Sequence, residues 1–175
     1  LKQKTSVIPT CANLELFKLK NCEFTPNSIT ISCIGSIMSG WFKRGVLKEV
    51  VDYMLSNYPN IRFEFLTRDD KEEILLEIDT EHKWINRIHI ESVLFKDMPS
   101  RLSNHDGSVF FFTANISKLG SAPTRMAELL GTGIPVLTNP GVGDVDKIIL
   151  EHKVGELLNS ENKANIKVAC DNFIK

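Results

Sequence analysis

Two hydrophobic periods take turns along this chain. Residues 28–35 (Ser-Ile-Thr-Ile-Ser-Cys-Ile-Gly) are rich in β-branched side chains and end in glycine, the mark of a buried strand. Between residues 44 and 56, Val46, Leu47, Val50, Val51, Met54 and Leu55 recur at i, i+1, i+4, i+5, i+8 and i+9, which puts one apolar stripe on a helix. Residues 61–67 alternate like a strand, and 71–78 read as a short helix. A short strand is predicted over 87–91, and a short helix over 97–104 with Pro99 in its first turn. The unbroken run Val109-Phe110-Phe111-Phe112 inside 108–113 predicts a central strand buried on both faces. A helix over 123–130, stopped by Gly131 and Gly133, precedes a strand over 134–138. A helix over 144–152, a strand over 154–158 and a last helix over 161–173 complete the pattern.

Strands and helices that alternate in this way predict an α/β fold, a doubly wound parallel sheet of Rossmann-like type. Residues 1–28, with Pro9, Pro26 and clusters of Asn, Thr and Ser, read as an irregular linking segment. Residues 29–175 read as one domain. In such sheets ligands bind at the carboxyl ends of the strands. That singles out three loops, 36–43, 114–123 and 139–144.

Composition narrows the choice further. A chain of 175 residues, 42% hydrophobic and 25% charged, excludes a disordered or fibrous protein. Its net charge of −1 gives no basic field for nucleic acid, and no apolar run approaches the roughly 20 residues of a membrane span. The first residue is Leu1, with no signal-peptide pattern behind it, so the sequence reads as a piece of a longer protein. Cys11, Cys22, Cys33 and Cys170 lack any paired spacing and read as unpaired thiols of a reducing cytoplasm.

The second loop holds Lys118 and leads into Ser121-Ala122-Pro123-Thr124-Arg125. With Ser121 as N-cap and Pro123 in the first turn, the helix start offers N–H groups and two cations to an anion. The alternative is a capped surface helix with solvated basic residues. Glu128 shares a helical face with Thr124 and Arg125, so it either accepts two ribose hydroxyls or pairs with Arg125. Gly141 and Gly143 permit close backbone approach to a ligand, or a tight turn. Asp144-Val145-Asp146 spells a metal motif, but Asp144 falls where an N-cap belongs and Asp146 in a first helical turn. Capping is the better reading, and no metal site is assigned. Trp41, in a glycine-flanked loop, is placed to cover a sugar or base, or to plug the edge of the domain. The four histidines have no zinc-like spacing and receive no role. The run 68–73 (Arg-Asp-Asp-Lys-Glu-Glu) reads as a solvated helix start.

The string SAPTRMAELLGTGIPVLTNPGVGDVDKII resembles the donor-binding segment of family 4 (group 1) nucleotide-sugar glycosyltransferases of the GT-B fold. The matching residues are Lys118, Pro123-Thr124-Arg125, Glu128, Gly133-Ile134-Pro135-Val136 and Gly141-Val142-Gly143. Val7-Ile8-Pro9-Thr10 with Asn13 and Phe17 resembles the family's link between domains, and Ile34-Gly35-Ser36, ending near Trp41, its first glycine loop. The resemblance implies one half of a GT-B enzyme, with the acceptor-binding N-terminal domain outside this sequence. It also implies that Glu128 holds the ribose, that Lys118 and Arg125, with the N–H groups near Ser121 and Thr124, hold the diphosphate, and that Lys118 and Arg125 assist catalysis. Backbone near Ser92 and Val93 would meet the base. The family's first-loop arginine is replaced by Ser36, with Lys43 or Arg44 as substitutes, and the first Glu of its Glu-x7-Glu motif by Gly120.

The implied activity is transfer of a sugar from a nucleotide-diphosphate donor, with retention and without metal or other cofactor, in bacterial surface polysaccharide synthesis. The setting is cytoplasmic, with any peripheral membrane contact made through the full-length protein. The alternatives are a non-catalytic nucleotide-sugar binding module and a GT-B epimerase.

Overall fold

The computed structural model describes residues 10–19 and 27–175. Val7, Ile8, Pro9, Cys22 and Pro26 lie outside the described residues. Six parallel strands form one sheet in the order β3-β2-β1-β4-β5-β6: β1 (Ile29–Ile34), β2 (Ile61–Leu66), β3 (Ile88–Glu91), β4 (Gly107–Phe110), β5 (Val136–Thr138) and β6 (Gly155–Leu157). Between them run α1 (Arg44–Asn57), α2 (Lys71–Ile78), α3 (Met98–Leu102), α4 (Thr124–Gly131) and α5 (Val145–His152), and α6 (Lys163–Ile174) follows β6. Every residue of β1 and β4 is buried, as their apolar runs require. The expected doubly wound sheet is therefore present. Each expected element appears, with ends displaced by a few residues.

The displacements have local causes. β4 stops at Phe110 because the chain beyond it leaves the sheet to meet the β1–α1 loop. Phe112 bridges antiparallel to Phe42, and Thr113 N–H donates to Trp41 O at 2.9 Å. β5 begins only at Val136, after Gly133 in the left-handed region (φ 79°) and Pro135, which has no N–H to give. α6 begins at Lys163, where the Asn162 side chain accepts from Asn165 N–H. Asp70 caps α2 by accepting from Glu72 and Glu73, as the solvated helix start predicted. Two of the expected thiols, Cys33 and Cys170, are buried free thiols, and burial pushes both up, Cys170 to about 12. No helix among the described residues is long and apolar enough to cross a membrane.

Two polar anchors hold the layers together. Arg87 donates to the carbonyls of Leu55 (2.7 Å), Ile61 (2.9 Å) and Tyr58, tying the end of α1 to the start of β2. Asp171 on α6 accepts the hydroxyls of Tyr53 and Tyr58, both at 2.7 Å, and joins α6 to α1. Those two hydroxyls, with Lys167 beside them, hold its carboxyl at about 2 although burial pushes the other way.

Replacing Arg87 by Met should remove these bonds and leave carbonyls without their donor, at a cost of about 2–4 kcal/mol in urea unfolding. Because Asp171 titrates lower in the folded chain than in the unfolded one, its contribution is complete above about pH 4 and fades as pH falls toward 2. Asp171→Asn should therefore lower stability at pH 6 and flatten the acid limb between pH 4 and 2 in thermal melts. An acid limb identical to the wild type would exclude this anchor.

Candidate functional site

The strand order reverses between β1 and β4, the place where sheets of this kind bind ligands at the carboxyl ends of their strands. Two cavities lie there. The smaller, about 150 Å³, is lined by Gly35, Ser36, Phe42, Phe110, Phe112, Pro123, Thr124 and Arg125. The larger, about 440 Å³, is lined by Gly35, Ser36, Arg68, Asp69, Ser92, Val93, Phe95 and Arg125. Arg125, Gly35 and Ser36 border both. Thus Ser36, Ser92, Val93, Thr124 and Arg125, drawn from three separate stretches of sequence, come together at one crevice.

A third cavity, about 330 Å³, adjoins them and is lined by Phe112, Lys118, Ser121, Ala122, Pro123, Thr124 and Val142. Lys118 Nζ stands 4.4 Å from the centre of the Trp41 ring, a cation–π contact that brings these two expected residues together. Trp41 remains 51% exposed, at the edge of the domain beside Lys118.

Several expectations need correction. Ser121 does not cap α4. Its N–H closes a turn onto Lys118 O at 3.1 Å, and the helix opens three residues later behind Pro123, with no side chain capping it. Asp144 occupies the N-cap position of α5 but makes no side-chain cap bond, while Asp146 does lie in the first turn. Lys43 pairs with Glu161 and lines neither of the two cavities that Arg125 borders, and Arg44 lies 3.6 Å from Glu77. The glycine turn faces protein. Gly143 N–H donates to Lys118 O at 2.9 Å, and a Cβ on Gly143 would meet Ser121 O at 1.8 Å. Gly141, at φ 88°, similarly faces Ala114. These glycines let two loops touch.

Arg125 donates to Glu128 at 2.6 Å, so the pair expected on that face is formed. The Glu128 side chain is 13% exposed and that of Arg125 37%, which leaves the guanidinium the more accessible of the two.

The structure adds residues that the sequence reading passed over. Asn139 is buried, accepts from Phe112 N–H at 2.8 Å and donates to Phe112 O at 3.0 Å. Its amide thus continues the pairing of β4 with β5 past the last strand residue, and sets the chain that leads to Lys118. Its place between a strand and Pro-Gly was the available signal. Asp69 accepts the Ser36 hydroxyl at 3.0 Å and Met38 N–H at 2.9 Å. Burial pushes the Asp69 carboxyl up, but these bonds, with Thr67 and Ile37 N–H, outweigh it and hold the group below the usual carboxylate range.

The metal-ligating side chains that approach one another most suitably among the described residues are Glu64, His89 and Glu91. They do not include Asp144 or Asp146, and Arg101 already pairs with both glutamates.

No protein-family model matches the sequence, and no curated protein matches it significantly. Solved structures do. The chain is similar to the C-terminal domain of a glycosyl transferase group 1 family protein (LpcC) from Francisella tularensis, with TM-score 0.67 and 14% identity over 93% of this chain and 87% of that one. It is similar to WaaG, a glycosyltransferase involved in lipopolysaccharide biosynthesis, with TM-score 0.65 and 14% identity over 85% of this chain and 38% of that one. MnaA of S. aureus in complex with UDP matches with TM-score 0.57 and 15% identity, over 85% of this chain and 37% of that one. The chain therefore spans well under half of these two longer proteins but nearly the whole of the isolated LpcC domain. Its fold is that of the C-terminal, Rossmann-like domain of GT-B glycosyltransferases.

Proposed function

We propose that this chain is the donor-binding half of a glycosyltransferase that takes its sugar from a nucleoside diphosphate. The observation that carries the reading is the position of Arg125, which borders both cavities at the strand-order reversal. A base in the 440 Å³ cavity, against Ser92 and Val93, leaves its diphosphate facing the Arg125 guanidinium. Lys118, in the adjoining cavity, supplies a second cation. Two positive groups in a partly enclosed crevice stabilise the charge that builds on a departing diphosphate, and in this reading Glu128, now paired with Arg125, takes the ribose hydroxyls. This chemistry asks for no protein nucleophile, agrees with retention, and makes Arg125 and Lys118 the pair that assists departure without a metal ion.

The likeness to glycosyltransferases and to a UDP complex supports the donor class. The acceptor site then belongs to a second domain facing the crevice, so this chain alone transfers no sugar. Surface polysaccharide synthesis in a bacterial cytoplasm is the setting that fits the resemblance. A second reading, a non-catalytic nucleotide-sugar binding module, is favoured by Gly120, which stands where the family's first motif glutamate belongs. A side chain starting there would meet nothing within 4 Å.

Calorimetric titration with uridine and UDP tests the site. Arg125→Ala should weaken UDP roughly tenfold to a hundredfold and leave uridine nearly unchanged, since a charge-assisted contact contributes about 1.5–3 kcal/mol. Glu128→Ala should weaken both ligands together. Were the two residues only a surface ion pair, each change would cost about 0.2–1 kcal/mol of stability and no affinity. Unchanged affinities in both variants would remove the ligand from this helix.

A further inference from the structure

The loop after β1 has the form of an anion cradle. Gly35 lies in the left-handed region (φ 115°), and the residues after it turn Ile37 N–H, Met38 N–H and the Ser36 hydroxyl toward one point. Converging donors of this kind attract a phosphate. Here the point is already taken. The Asp69 carboxylate, from the loop after β2, accepts from Met38 N–H at 2.9 Å and from Ser36 at 3.0 Å, and Asp69 N–H is itself fastened to Thr67 Oγ1 at 3.0 Å. The cations nearest in sequence are engaged elsewhere, Lys43 with Glu161 and Arg44 near Glu77. The donors at the cradle are thus taken up by Asp69, and Arg68 beside it lines the same larger cavity.

We propose that Asp69 is a positioning residue whose carboxylate fills the anion cradle of the β1–α1 loop, closing that loop to phosphate and directing a bound diphosphate to Arg125. The first half stands on the hydrogen bonds alone; the second rests on the nucleotide reading of the site. Asp69 lines the larger cavity but not the smaller. Its negative charge repels phosphate from one end of the crevice, while Arg125 attracts it at the boundary between the two cavities. The ligand is thereby given a direction, base toward Asp69 and phosphates away from it.

Inorganic pyrophosphate, followed by amide NMR on the labelled chain, separates these statements. In the wild type the Ile37 and Met38 amides should not shift on titration and should remain slow to exchange, while those of Thr124 and Arg125 shift. In Asp69→Ala the vacated cradle should bind pyrophosphate about tenfold or more tightly than the wild-type loop, with Ile37 and Met38 now shifting. The gain should persist in Asp69→Ala/Arg125→Ala, which isolates it from the α4 side. Asp69→Asn keeps an acceptor for Met38 N–H and should keep the loop closed. Shifts at Ile37 and Met38 in the wild type, or no gain in a folded Asp69→Ala, would overturn the proposal. If Asp69→Ala does not fold, the wild-type titration decides by itself. Silence at Thr124 and Arg125 in every protein would overturn the direction given to the ligand and the nucleotide reading, while the response of Ile37 and Met38 still decides whether Asp69 fills the cradle.

Discussion

Everything at the crevice depends on how closely β1 and β4 lie against each other at the centre of the sheet. Their contact is short, Ile31 opposite Gly107 and Ser32 opposite Ser108, and it is made tight by two serine hydroxyls. Ser108 donates to Ser32 O at 3.0 Å and Ser32 to Gly107 O at 3.3 Å. Gly107 leaves room for the far ends of its neighbours, since a Cβ would stand 2.8 Å from the Phe173 ring and 3.1 Å from Ile31. A wider spacing would break the serine bonds and part the two loops that together line the smaller cavity. The apolar residues on both faces supply the driving force for burial, but the polar pair sets the register.

From that centre outward, the loops are held mainly by backbone and by short polar side chains. Asn139 extends the β4–β5 pairing, Phe42 and Phe112 bridge with their rings 5.5 Å apart, and Asp69 gathers the β1–α1 loop. Long charged side chains contribute little to this framework and are left at its edge. Arg125 and Lys118 stand on a scaffold that does not need them for its shape. Such a division lets a site be charged without making the fold depend on the charge.

The periodicity in the sequence was enough to read the order and type of the elements, because β1, β4 and β5 are wholly buried, β3 alternates, and α1 carries one apolar stripe. The ends were less legible where a tertiary partner decides them. Phe111 to Thr113 is as apolar as the strand before it, yet it leaves the sheet for Trp41 and Phe42. Ser121 has the right residue type for a cap, but its N–H is drawn to Lys118 O. Ser36 and the approach to Thr124 and Arg125 were legible because position at strand ends follows from topology, whereas Ser92 and Val93 came only from the resemblance to a known family. The role of Asp69 was not. In an Asp69-Asp70 doublet only one residue can cap the helix, and the partner of the other lies some thirty residues away in sequence.

The contact between the glycine turn and the Lys118 loop is made by main chain alone. Gly143 N–H holds the carbonyl of residue 118, and Gly143 lies against the carbonyl of Ser121. Neither the bond nor the close approach involves the side chain of residue 118 or 121. Selection can therefore exchange those side chains, and with them the charge presented to a ligand, while the loop keeps its path. Divergence of specificity in this architecture is inexpensive at 118 and 121 and prohibitive at 143.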